Sequence, residues 1–293
     1  MEYGKLVKRA LDIMWKFKYL WIFGFFIQVG SGGGGAGRLS GKIDKIKLPA
    51  LHVDNFFRSI ALEIILLLVL FGLLVFLFFL VLKMISKGGL IHCVWRIETG
   101  EKPTLGDGWG VGVKNFWRIL CIDILMIILA LLAVGVTILP VVLFIIASGV
   151  WGVFSAVILI PLFIVILAAI LLTELYATRT CIIEGKDVFD SLSSGWDTLK
   201  SNLEKSLILA LIGIGSIIIY VIGFLIVALM LVVPFIIIGV MNLFWGIAWG
   251  IFFGLIYIII VSGAWGAYID SFWTLAFLEL KKLRPAGGTD LSA

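Results

Sequence analysis

Few residues in this chain could do acid, base or metal chemistry, and they are scattered. Its two histidines, His52 and His92, lie on either side of the 23-residue run Ile60–Leu82, apolar but for Glu63. Placed on opposite faces of that run, they cannot share a metal ion or form a catalytic dyad. Cys93, Cys121 and Cys181 form no CxxC pair and no even disulfide framework, so they read as small packing residues where thiols stay reduced. HExxH, GxSxG and P-loop patterns are absent. "GAGRLSG" (35–41) has neither a preceding strand nor a GK[ST] ending, and the stretch Gly30–Gly41 reads as an exposed flexible segment. The sequence therefore predicts no enzyme, no cofactor and no metal site.

What remains is a set of charges beside the apolar runs: Glu63, Asp123, Glu174 and Asp270. Each falls within about two turns of a predicted helix end, where a side chain reaches headgroups cheaply. Asp123, Glu174 and Asp270 fall toward one face of the membrane, as does Lys83 at the end of the second run. These four form a candidate polar cluster, a vestibule open to that face. Mid-run positions are Ile, Leu, Val and Phe with Thr137, Ser216, Tyr220 and Tyr257 as the main polar exceptions. An ion-coupled carrier usually places an ionisable group there, and none is predicted.

The elements that carry these residues follow from composition. A chain of 293 residues that is 62% hydrophobic, 14% charged and has mean hydropathy +1.20 belongs in a bilayer. The reading is all-α, a polytopic bundle of about six transmembrane helices. Its spans are about 15–30, 60–82, 119–146, 151–173, 206–233 and 244–269, in one domain over 1–284 with a short flexible cytoplasmic tail at 285–293. The almost unbroken run from Ile119 to Leu172 must turn, and "ASGVWG" (Ala147–Gly152) supplies the small residues; Pro234–Asn242 does the same for the last pair. Pro161 is expected to kink the fourth span. The first span is the shortest: Tyr19–Gly30 is 12 residues, about 18 Å of helix, so Lys16 and Lys18 must snorkel for it to cross. A basic lead, a short apolar stretch and small residues also fit a secretory signal peptide loosely.

Charge sets the orientation. Lys and Arg number 5 before Tyr19, 5 in Arg38–Arg58, 6 in Lys83–Arg118, 4 in Arg179–Lys205 and 3 in Lys281–Arg284. With six spans one face carries 18 and the other 5; without the first, the split is 13 to 10. The positive-inside rule favours six spans in the cytoplasmic membrane with both termini cytoplasmic. The excess of +5 then meets anionic lipid headgroups and calls for no nucleic acid.

A repeat links the spans. At an offset of 87, Leu105, Gly108, Trp109, Asn115 and Arg118 fall on Leu192, Gly195, Trp196, Asn202 and Lys205. Upstream, after a two-residue gap, Gly100 falls on Gly185. Each copy reads as a span end, an elbow (103–118 and 186–203), an amphipathic helix and the next span. In the second, Val188, Leu192, Trp196, Leu199 and Leu203 share one helical face, with Asp187 at the N-cap. The first copy is glycine-rich and is expected to be looser. Leu11 and Trp15 open a fainter third copy. Trp15, Trp109 and Trp196 are the expected interfacial anchors. Gly246, Gly250 and Gly254 form a small-residue stripe for helix packing, within the chain or with a second copy.

"LWIFGFF" (20–26), a Gly-rich outer loop, "GGLI" (88–91), the GEKP elbow (100–103), the two GW segments and "FWTLAFLEL" (272–280) before a basic tail resemble a group of prokaryotic six-helix membrane proteins. That group includes the membrane domain of some glycerophosphoryl diester phosphodiesterases. The resemblance implies an integral membrane module and transfers no catalysis, because the catalytic residues of those enzymes belong to a separate soluble barrel. The expected role is non-enzymatic organisation of lipids or partner proteins, homo-oligomers included. A transporter or lipid-translocating protein working through the polar cluster is the alternative.

Overall fold

The computed structural model describes residues 2–31, 55–147 and 149–282, and among these the backbone forms nine helices and no strand. In chain order they are α1 (Tyr3–Lys16), α2 (Leu20–Gly30), α3 (Asn55–Glu98), α4 (Leu105–Lys114), α5 (Phe116–Ala147), α6 (Gly149–Ile183), α7 (Val188–Ser201), α8 (Leu203–Met241) and α9 (Leu243–Lys282). Five of them, α3, α5, α6, α8 and α9, are long and apolar enough to cross a membrane. The chain is an all-helical bundle of the multi-pass membrane kind. The Gly-rich stretch 32–41, His52 and the tail 285–293 lie outside the described residues.

The expected first span, 15–30, is not one helix. α1 stops at Lys16, Phe17 turns back onto the Ile13 carbonyl (2.9 Å), and α2 starts at Leu20. With 11 residues, α2 is about 16 Å long, roughly half of a hydrocarbon core. Its start is held where Tyr19 Oη donates to the Pro103 carbonyl (2.9 Å). Its end, Gly30, rests on Phe79 and Lys83 of α3, whose apolar run continues about 22 Å further, to Ile64. The two lysines that would have had to snorkel instead sit at the break.

The other spans overrun their expected ends, because helix geometry continues past the apolar stretch wherever packing supports it. α3 runs on to Glu98, α6 to Ile183, α8 through Pro234 to Met241 and α9 to Lys282. The last hairpin turns only at Asn242, whose Oδ1 accepts the backbone N–H groups of Phe244 (3.1 Å) and Trp245 (3.4 Å). In the middle hairpin α5 ends at Ala147 and α6 begins at Gly149; residue 148 lies outside the described residues. Helix α6 continues through Pro161 and α5 through Pro140.

The long helices therefore have two unlike halves. Their outer halves are arms studded with exposed Leu, Ile, Val and Phe. Their inner ends meet in a base where Leu20, Phe23, Leu90, Tyr176, Leu209, Phe272 and Phe277 form a buried core. In the base α3, α6 and α9 each touch the other two, and each carries a short amphipathic helix: α4 lies on α3, α7 on α6 and α1 on α9. α1 and the end of α9 thus belong to the same end of the bundle.

The two elbows are built alike. Gly100 and Gly185 follow α3 and α6 with positive φ, 90° and 68°, which ends each helix in a conformation that glycine adopts without strain. Asn115 and Asn202 stand between the short helix and the next long one, and each donates its side-chain amide to the carbonyl four residues back (3.1 and 3.3 Å). Each backbone carbonyl then accepts the N–H four residues ahead, from Ile119 (3.0 Å) and Ser206 (2.9 Å). One residue closes a helix and opens another. At the N-termini they differ: Thr104 and Asp107 form a reciprocal capping box, whereas Asp187 occupies the N-cap but gives its carboxylate to Arg118 (3.0 Å).

Glycine also explains α4, expected to be loose. Gly108 and Gly112 form its buried face, and a Cβ on Gly112 would overlap the Ile85 carbonyl of α3. α7 uses small residues in the same way. It buries Ser191, Ser194, Gly195 and Thr198 with Leu199, and a Cβ on Gly195 would crowd the backbone of Thr173 and Ala177. Of the apolar stripe, Val188 and Leu192 pack on Ile122 of α5 and on Ala177 and Cys181 of α6, whereas Trp196 and Leu203 are exposed, as is Phe189.

Candidate functional site

The predicted carboxylates come together in the base, through cations of which only one type and neither position was expected. Lys87, on α3, donates from Nζ to Asp123 Oδ1 on α5 (3.0 Å) and to Glu174 Oε1 on α6 (2.9 Å). Arg179, five residues beyond Glu174, donates from Nη2 to Asp270 Oδ1 on α9 (3.1 Å) and from Nη1 to the Leu175 carbonyl (2.8 Å). Glu174 lies within electrostatic reach of Arg179, so the two groups form one chain of charge across α5, α3, α6 and α9. Arg179 is 1% exposed and the side chains of Lys87 and Asp123 are 13% and 9% exposed.

Lys83 is not a member. It stands one turn before Lys87, against the C-terminal Gly30 of α2. The apolar run ends at Leu82, and Lys83 is the first lysine after it. The continuous helix carries the next one, at the same face, down to the level of Asp123 and Glu174. Glu174 and Asp270 lie one residue past the predicted span ends, and their helices run on for nine and 12 residues beyond them. Their long-range cations are the reason they can sit there: a buried carboxylate is tolerated when paired and hydrogen-bonded. The geometry is that of packed ion pairs, with Lys87 Nζ within 3.0 Å of both carboxylates.

A second group of charges closes the base nearer the chain ends. Glu184, just past α6, pairs with Lys281 at the end of α9 and with Lys186 (3.0 Å). Burial pushes the Glu184 carboxyl up, but its bonds to Lys281 and Lys186 outweigh that and hold it below the usual carboxylate range. Arg9 of α1 reaches Glu98 at the end of α3 (3.2 Å). Burial raises the Tyr19 phenol to about 12, reinforced by Cys93 and Asp107.

The expected anchors separate. Trp15 is 60% exposed and meets Trp21 edge-on (5.8 Å), and Trp196 is 50% exposed. Trp109 turns inward, stacked on Phe23 at 6.4 Å, and Trp117, 72% exposed, takes the outer position on that elbow. The glycine stripe separates too. Gly246 packs against the Gly239 backbone across the α8–α9 hairpin, Gly250 makes ordinary contact with Phe235, and Gly254 faces open space. A closer crossing lies further along α9, where a Cβ on Gly24 of α2 would overlap Gly263 and Ala267, and Gly266 meets Gly24 in turn.

Along the arms the polar exceptions find partners within the chain. Thr137 Oγ1 donates to the Ala133 carbonyl (2.5 Å), Tyr257 Oη to the Phe224 carbonyl (2.8 Å), and Ser216 shares a hydrogen bond with Tyr268 (3.1 Å). Tyr220 stacks on Trp265 at 4.3 Å. Among the described residues no group of three or more His, Cys, Asp or Glu side chains is placed to hold a metal ion. No protein-family model, curated protein or solved structure matches this chain.

Proposed function

We propose that the chain is a non-enzymatic integral membrane module that holds lipids or partner proteins against its arms. The observation that carries this is the contrast between base and arms. The α5–α6 and α8–α9 hairpins meet mainly through α6 and α9 and leave large apolar side chains uncovered along their length. Such surfaces need lipid or another protein's helices around them. The ionised groups of the base are engaged with one another, which supports a structural role for them over a transport path.

We place the module in the cytoplasmic membrane with its base and both termini on the cytoplasmic side, where anionic headgroups meet its basic residues. The two elbow units, and α1 with its following helices as a third, are read as copies of one repeat. Their shared glycine and asparagine joints support that reading, and the six-helix family resembled by the sequence is the proposed relationship. Native mass spectrometry of the protein taken from its own membrane in mild detergent tests the role. A stoichiometric protein partner or retained lipid is the expected result. A solute or lipid flux in liposomes that is abolished by Asp123→Leu would overturn it in favour of a transporter.

A further inference from the structure

One groove in the arms has a mouth of its own. It lies between α5, α6 and the outward face of α7, encloses about 690 Å³, and is walled by Leu129, Val136, Ile166, Ile170, Leu192 and Trp196. Two hydroxyls lie in its wall. Each donates its one proton to the carbonyl one turn back in its own helix, Thr137 to Ala133 and Thr173 to Ala169 (2.7 Å), so neither has a proton left to donate into the groove. The wall suits hydrocarbon.

Its length and its mouth narrow the occupant further. From Leu125 to Thr137 the groove follows α5 for 13 residues, about 18 Å, a little over half of the roughly 30 Å hydrocarbon core. That is the depth one leaflet's acyl chain reaches from its headgroup. At the α7 end stands Trp196, an amphipathic ring of the type that settles at headgroup depth, and Lys200 follows one turn later on the same edge of the helix, exposed to solvent. α7 keeps this edge free because it packs on α6 through Ser191, Ser194 and Gly195 instead. A lysine one helical turn from an indole that lines an apolar trough matches a phosphate headgroup above an acyl chain. The α8–α9 groove, about 640 Å³, is as apolar but lies toward the hairpin tip with no amphipathic helix at its mouth.

We propose that the α5–α6–α7 groove binds one anionic phospholipid, with an acyl chain in the trough and the phosphate at Trp196 and Lys200. It rests on the membrane-module reading above and names one of its lipids. The test is native mass spectrometry of the detergent-solubilised full chain, delipidated and then offered phosphatidylglycerol or phosphatidylcholine with the same acyl chains. Wild type should retain one phosphatidylglycerol per chain, about tenfold more tightly than phosphatidylcholine. Ala133→Phe, which puts a ring into the trough, and the double variant Trp196→Ala/Lys200→Glu should each lose that retention by a similar factor. Ala228→Phe in the α8–α9 groove should keep it, and equal melting temperatures would show that all variants fold. No retained lipid in wild type, equal retention of both lipids, or retention unchanged in the two groove variants would overturn the proposal. So would a second copy of the chain released by Ala133→Phe with no lipid bound, which would leave the module reading standing.

Discussion

Lys87 holds two carboxylates from two other helices, and its removal leaves Asp123 buried and Glu174 half-buried without that cation. Breaking a buried pair in this way typically costs about 3–5 kcal/mol, far more than an exposed pair contributes. Lys87→Met should therefore lower the thermal midpoint sharply, while Lys83→Met, one turn away beside α2, should change it little; a detergent melting curve of each variant checks this. Glu184 supplies a pH dependence whose sign follows from its depressed carboxyl. A group held below its unfolded value of about 4.3 stabilises the fold above that value, and the contribution disappears as pH falls through the lower folded value. Melting temperature should drop on acidification below about pH 4.5, and Glu184→Gln should flatten that limb of the curve. A Gln variant with an unchanged acid limb would assign the loss to other carboxylates.

At the scale of single helices, glycines with the same propensity cost have opposite roles. Gly112 of α4 faces the α3 backbone, and Gly110 of the same helix has open space around its Cβ position. Gly110→Ala should stabilise by about 0.5–1 kcal/mol, because alanine loses less backbone entropy in a helix. Gly112→Ala should destabilise by about 1–3 kcal/mol by forcing α4 off α3. Comparing the two in one denaturation series isolates packing from propensity. Thr104→Ala removes the reciprocal cap at the start of α4 and should cost about 1 kcal/mol, with loss of protection at the first-turn amides in hydrogen exchange.

For the whole molecule, the pairing of α1 with α9 makes a topological prediction. Single cysteines at Lys5, Lys102 and Lys282, in a chain lacking its three native cysteines, should react with an impermeant thiol reagent from one side of the membrane only. One at Val240, near the α8–α9 tip, should react only from the other. Labelling of Lys5 and Lys282 from opposite sides would contradict the base, because α1 and the end of α9 pack together there. The proposed orientation adds that the first three label only after the cell membrane is permeabilised.

Much of the architecture is a local property and was legible in the chain. Apolar length alone marks five long helices, since about 20 apolar residues have no other stable use, and the spacing of glycine, tryptophan and asparagine in the elbows marks where helices stop and restart. Asp123, Glu174 and Asp270 stood out because a carboxylate beside hydrocarbon is costly. Which cation met each of them was not legible: Lys83 and Lys87 lie on the same face of one helix, and only the height at which α5 and α6 cross α3 selects the second. Arg179 and Asp270 are 91 residues apart, a separation no local pattern encodes. The apolar stripe of α7 was visible, but which of its members would be buried was decided by the packing on α5 and α6, which covers Leu199 and half-buries Val188 and Leu192 but leaves Trp196 and Leu203 exposed. Helix type and membrane class are set by short-range hydrophobic and hydrogen-bonding demands, whereas charge partners and buried faces depend on the crossings of distant helices, which exist only once the chain has packed.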